Sequence, residues 1–225
     1  MNICVCLGAE WDSHWPVYKQ KADLIELRVD LMFPALVSSG DLLALLSPLF
    51  ANHSRKIILT CRLGVISPAE RLSLFTSLLP LSPAYLDLEY DSPPSEWELL
   101  SALAQQHQTK IIASFHHDKE TPCSEELRAI IQQSFSRAAD LVKIVCRCRD
   151  AVDEARLMSL YKTPLYAGRL IAFGMGPYAL TSRLHAAALG APILYAAPDQ
   201  GAPTAPGQPG FSQLKEHLLN IECRF

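Results

Sequence analysis

Short apolar runs rich in valine, isoleucine and leucine recur along the whole chain and alternate with longer stretches whose apolar residues fall at helical spacing. Runs near 2–7, 23–30, 56–62, 84–89, 109–116, 140–146, 169–174 and 192–197 have the length and bounding turn residues of strands. Helical patterns lie near 40–51, 68–79, 95–108, 123–137, 150–161, 178–189 and 211–220. Ser67-Pro68 and Ser124-Glu125-Glu126 read as helix starts, and Gly190 as a helix end. Alternation over about eight units predicts an α/β fold, a parallel sheet closed into a (β/α)8 TIM barrel; the alternative is an open doubly wound sheet. Residues 1–225, 49% hydrophobic, read as a single barrel domain with a substantial core.

A formal net charge of −3 gives no electrostatic footprint for nucleic acid or an anionic membrane. No apolar stretch reaches the length of a membrane span, and Met1-Asn2-Ile3-Cys4-Val5-Cys6 lacks a signal-peptide pattern, so a cytoplasmic protein is expected. The seven scattered cysteines read as buried thiols of a reducing compartment. Cys4/Cys6 and Cys146/Cys148 would each put two thiols on one strand face. A metal site is conceivable there, but structural zinc favours wider spacing on turns, and core thiols are the better reading. Gly174-Met175-Gly176 lacks the third glycine and the downstream acid of a dinucleotide fingerprint, and neither a P-loop nor an H-E-x-x-H is present. No cofactor or metal is expected. The Pro- and Gly-rich residues 197–210 follow the eighth strand and predict a long rim loop able to act as a lid.

Strand alternation places the polar residues. In Ile25-Glu26-Leu27-Arg28-Val29-Asp30 the odd positions are apolar and the even ones charged. Leu59-Thr60-Cys61-Arg62, Leu86-Asp87-Leu88-Glu89 and Ala113-Ser114-Phe115-His116 repeat the division. Parallel barrel strands are normally apolar on both faces. Here one face turns polar toward the C-terminal ends, where barrel enzymes keep their active sites. Lys143 lies inside the apolar run from Ala139 to Val145 and shares a face with Leu141 and Val145. A buried ammonium is costly unless its charge is offset or removed, and a neutral amine attacks carbonyl carbon.

Further matches accompany these strands: Ala22 to Asp30, Thr121-Pro122 after Ser114-Phe115-His116, Ala139-Asp140-Leu141-Val142-Lys143, Met175-Gly176, Ser182-Arg183 and Ala205-Pro206-Gly207-Gln208. In this order and spacing the chain resembles the type I 3-dehydroquinate dehydratases, the Schiff-base-forming enzymes of the shikimate pathway. The resemblance implies dehydration of 3-dehydroquinate to 3-dehydroshikimate, with Lys143 forming the imine and His116 moving the proton. It implies substrate binding by Glu26, Arg28, Arg62, Met175, Arg183 and Gln208, with Arg183 on the substrate carboxylate. Tyr195 stands where the family usually has an aromatic, and Thr204 where it has a small hydroxyl residue. Two positions depart from the pattern. Ile66 takes the place of a glutamate that lies near the histidine, and His117 falls where Asp or Asn is common. Asp87 or Glu89 is therefore expected to orient His116. Relatives are sometimes fused to a shikimate dehydrogenase domain, and a homodimer is an assembly left open.

The expected chemistry needs a neutral lysine, yet with a reference pKa of about 10.4 only roughly one in 2,500 is deprotonated at pH 7. Burial beside Arg28, Arg62 and Arg183 is expected to lower it. His116, with a pKa near working pH, suits a group that takes the C2 proton and then delivers one to the C1 hydroxyl. Competing readings are a class I aldolase or transaldolase sharing Lys143, a metal-dependent barrel using His116 with Glu26, Asp87 or Glu89, and a catalytically dead binding module.

Overall fold

Runs of β-branched and aliphatic residues form strands here because both faces find cover: helices outside, other strands' side chains inside. The computed structural model describes residues 1–32 and 39–222. Its strands are β1 (Asn2–Leu7), β2 (Leu24–Arg28), β3 (Ile57–Thr60), β4 (Tyr85–Glu89), β5 (Lys110–His117), β6 (Leu141–Arg147), β7 (Leu170–Met175) and β8 (Ile193–Ala196). All pair in parallel, in the order β7-β6-β5-β4-β3-β2-β1-β8. The cylinder is closed except between β7 and β8, where no ladder runs among the described residues.

Helices α1 (Trp11–Lys21), α2 (Val29–Met32), α3 (Ser39–Phe50), α4 (Pro68–Leu78), α5 (Pro94–Gln106), α6 (Ser124–Ser136), α7 (Ala151–Ser159), α8 (Ala179–Ala188) and α9 (Phe211–Glu222) alternate with the strands. Ser67 caps α4 in a reciprocal box with Glu70, and Pro68 fills the first turn, where its missing N–H costs nothing. Gly190, at φ +92°, ends the turn after α8. No helix among the described residues is long and apolar enough to cross a membrane.

Helix α1 is not expected from the sequence. It carries Pro16 inside it and buries only Trp15 and Tyr18, so its apolar periodicity is interrupted. The cysteine reading also needs correction. Cys4, Cys6, Cys61, Cys146 and Cys148 are buried free thiols, but Cys123 is exposed just before α6; Cys223 lies outside the described residues.

Register sorts the inward side chains into tiers. Leu24, Ile58, Ile112, Leu141, Ile171 and Ile193 pack as an apolar floor. One step further along the strands come Glu26, Thr60, Asp87, Ser114 and Lys143, each buried. Direct pairing sets Thr60 beside Asp87 and Ser114 beside Lys143. The outward residues Ile25, Leu27, Leu59, Leu86 and Leu88 join the core under the helices, each fully buried Leu or Ile contributing about 1.5–3 kcal/mol.

Candidate active site

Above the floor opens a cavity of about 340 Å³, lined by Glu26, Arg28, Arg62, His116, Lys143, Met175, Arg183, Tyr195, Thr204 and Gln208 among others. Lys143 is at its base, 3% exposed. Its Nζ donates to Glu26 Oε1 at 3.2 Å and to Asp87 Oδ2 at 3.0 Å, and lies 4.1 Å from the centre of the Tyr195 ring. The neutral amine expected from the sequence is not the resting form. Burial lowers the Lys143 pKa, but Asp87 and Glu26 outweigh both burial and Arg62, so the group is raised and held as ammonium. Burial likewise pushes Glu26 up, and Lys143, Arg28 and Arg62 more than reverse it, leaving that carboxyl at about 2. Thr60 Oγ1 donates to Glu26 Oε1 at 3.1 Å, and Ser114 Oγ to Asp87 Oδ1 at 2.5 Å.

His116 meets neither Asp87 nor Glu89. Arg62 faces the imidazole instead, with Nη1 2.8 Å from Nδ1 and Nη2 2.7 Å from Nε2. Glu89 reaches the ring only through Arg62, accepting from Nη1 at 3.2 Å and from the Leu63 amide at 2.5 Å. A neutral imidazole has one bare nitrogen to accept from a guanidinium; the protonated ring has none. Burial, then Arg62, Lys143 and Arg28, hold the His116 pKa well below its usual value. Arg62, and neither Asp87 nor Glu89, thus stands against His116, while Asp87 points toward Lys143. Ile66, half-buried, packs against the hydrophobic core.

Arg28 is engaged by Asp30, through Nε at 3.0 Å and Nη2 at 2.6 Å. Arg183 differs from every other cation of the pocket. It is 2% exposed and no carboxylate forms an ion pair with it among the described residues. Its Nε donates to the Tyr195 carbonyl at 3.0 Å, and Nη1 to those of Ala179 at 2.6 Å and Gly174 at 3.3 Å. This side chain from α8 therefore ties β7 to β8 across the open seam. Burial without a compensating anion brings its pKa down to about 10. Cations left this way invite an anion, and the planar fork suits a carboxylate.

At the rim, Thr204 N and Oγ1 donate to Gln208 Oε1 at 3.2 and 3.0 Å, and Gln208 Nε2 donates to Cys6 Sγ at 3.0 Å. Gly207, at φ +73°, lets the loop pass where a Cβ would stand 3.0 Å from the Gly176 carbonyl. Met175 and Phe173 supply apolar wall. The Tyr195 hydroxyl is buried with no hydrogen-bond partner among the described residues. Sequence reasoning missed the lining residues Cys6, Val145, Phe173 and Asp118. Alternation could have found the first three; Asp118, beyond the strand, carried no signal.

The sequence model of a family described as Type I 3-dehydroquinase matches residues 3–222. A 3-dehydroquinate dehydratase of Thermococcus gammatolerans is 34% identical over 209 residues, 90% of each chain. The crystal structure of the 3-dehydroquinate dehydratase from Aquifex aeolicus superposes with a TM-score of 0.80 at 27% identity, covering 100% of this chain and 99% of that one. A dehydroquinate dehydratase and shikimate dehydrogenase structure from S. pombe matches with a TM-score of 0.79 at 22% identity, covering 98% of this chain but 44% of that one.

Proposed function

The chain belongs to the type I 3-dehydroquinase family, and from that premise we propose that it dehydrates 3-dehydroquinate to 3-dehydroshikimate through an imine on Lys143. Arg183, a buried guanidinium without an anion, takes the substrate carboxylate. That docking brings the C3 ketone toward Nζ at the pocket base. The protonated imine that follows keeps a positive charge where the ammonium stood, so Glu26 and Asp87 stabilise it without rearrangement. Neutral His116 removes the C2 proton, and the C–H electron pair flows into the iminium to give an enamine. The enamine then expels the C1 hydroxyl, which leaves as water with the proton from His116. An imidazolium held against Arg62 is a strong acid, so the returning step is favoured by the same contact that kept the base neutral. Hydrolysis of the imine frees the product.

Arg28, Arg62, Glu26, Met175, Tyr195, Thr204 and Gln208 complete the substrate's surroundings, with polar groups for its hydroxyls and an adaptable thioether wall. The buried free thiols suit a reducing compartment, and we place the protein in the cytoplasm. The observation that carries this reading is the pairing of charges: Lys143 rests between two carboxylates while Arg183 has none. Borohydride reduction with dehydroquinate, followed by peptide mapping, should give a stable adduct at Lys143. An adduct elsewhere, or full turnover by Lys143→Ala, would end the proposal.

A further inference from the structure

An ammonium has no lone pair, so Lys143 must shed a proton before it can attack, and something beneath the bound substrate has to receive it. Two oxygens touch Nζ, Glu26 Oε1 at 3.2 Å and Asp87 Oδ2 at 3.0 Å. We propose that Asp87 is the acceptor: it takes a proton from Lys143 as the substrate arrives and later returns it to the ketone oxygen, which departs as water. This role deepens the imine mechanism at Lys143 and rests on it.

The two carboxylates differ in what remains once Nζ turns neutral. Glu26 keeps Arg28 and Arg62 in its field and the Thr60 hydroxyl on the same oxygen that meets Nζ. Arg62 acts on both carboxylates, but Arg28 adds to it at Glu26, so with the ammonium gone Glu26 still has the larger share of positive charge and its anionic form remains favoured. Asp87 is 1% exposed, and Lys143 is its one ion-pair partner among the described residues. Arg62 bears on Asp87 by its charge but touches it only through the Ser114 hydroxyl, which donates to Asp87 Oδ1, stands 3.3 Å from Arg62 Nη1 and leaves Oδ2 to Nζ. A neutral amine would leave Asp87 a buried anion with no cation in contact. Accepting the proton removes both buried charges in one move over 3.0 Å. The Tyr195 phenol, held protonated by burial and by Cys4, Glu26 and Asp87, is no competitor. Among the described residues His116 makes no hydrogen bond to Nζ, whose bonds go to Glu26 and Asp87.

The step balances without an outside acid or base. The Nζ–H bond breaks and an O–H bond forms on Asp87. The freed lone pair makes the Nζ–C3 bond while the carbonyl π pair moves onto oxygen. That oxygen takes one proton from the nitrogen it now neighbours and a second from Asp87, and leaves as water. The nitrogen keeps one proton and the positive charge, and Asp87 is again a carboxylate beside a cation. Two of the three ammonium protons have gone with the ketone oxygen.

The test is rapid-quench borohydride trapping of the Lys143 adduct, timed by mass spectrometry, in wild type and in Asp87→Asn. A proton acceptor predicts trapping slowed by about 100-fold or more. A carboxylate acting as a counter-ion alone predicts the opposite sign, since its loss frees the amine, and adduct formation as fast as or faster than wild type would overturn the proposal. Asp87→Ala with added formate guards against a packing effect: formate should restore trapping, and a slow variant unmoved by formate counts against the proposal. Thermal melting checks that each variant is folded, and Asp87→Asn alone decides the matter should the alanine variant not fold. If wild type itself yields no adduct at Lys143, the imine reading fails, which is a separate result.

Discussion

Two buried cations stand in one pocket and are treated in opposite ways. Lys143, on β6, is neutralised twice over, by Glu26 from β2 and Asp87 from β4. Arg183, from α8, is given backbone carbonyls but no anion among the described residues. In the proposed mechanism, compensation within the protein marks the group that reacts, because the charge at Nζ persists as the iminium. On the same proposal, lack of compensation marks the group that binds, because its partner arrives with the substrate. A buried charge of the first kind is costly to lose because its partners are left stranded; one of the second kind is a standing cost that ligand binding relieves.

The largest effect should come from breaking the first arrangement. Lys143→Ala should lower kcat by at least about 10⁴-fold, as expected for removal of a nucleophile. It also strands two buried carboxylates and should reduce unfolding free energy by about 3–5 kcal/mol, read from denaturant melts. Arg183→Gln removes a cation that had no anion to lose. Its stability change should be smaller than that of Lys143→Ala, while KM rises by about 10- to 100-fold, matching about 1.5–3 kcal/mol for a charge-assisted bond. Equal stability losses in the two variants would break the comparison.

His116 tests how far Arg62 spreads its influence. With the histidine pKa lowered, the folded protein binds fewer protons than the unfolded chain below about pH 6.5. Stability therefore declines as pH falls through that value toward the depressed pKa and then levels off, while the neutral base persists. The acid limb of kcat/KM should lie below about 6.5, and Arg62→Gln should move it upward. An unmoved limb would remove Arg62 from the control of the base. The smallest effect concerns Tyr195, whose hydroxyl is buried and unpartnered among the described residues. Tyr195→Phe should leave stability unchanged or raise it by about 1 kcal/mol in thermal melts.

Much of this architecture is readable from residues alone. All eight strands fall within one or two residues of where apolar runs set them, because burial on both faces leaves a continuous signal. Helix α1 escapes, since Pro16 and its polar neighbours interrupt the periodicity that marks the other helices. Alternation gives the inward direction of Glu26, Asp87, His116 and Lys143. It cannot give partners: Asp87 and Lys143 are 56 positions apart, and their contact depends on register summed over two intervening strand pairs. The charge state of Lys143 is hidden for the same reason. Arg28, Arg62 and Arg183 suggest a lowered pKa, and only the touching carboxylates reverse it.

The seam between β7 and β8 carries one more implication. The side chain that fastens the wall there is also the one with an Nη2 that finds no acceptor among the described residues. In the proposed mechanism, a carboxylate that grips this fork also braces the joint between β7 and β8, so that filling the pocket and tightening the barrel become a single event.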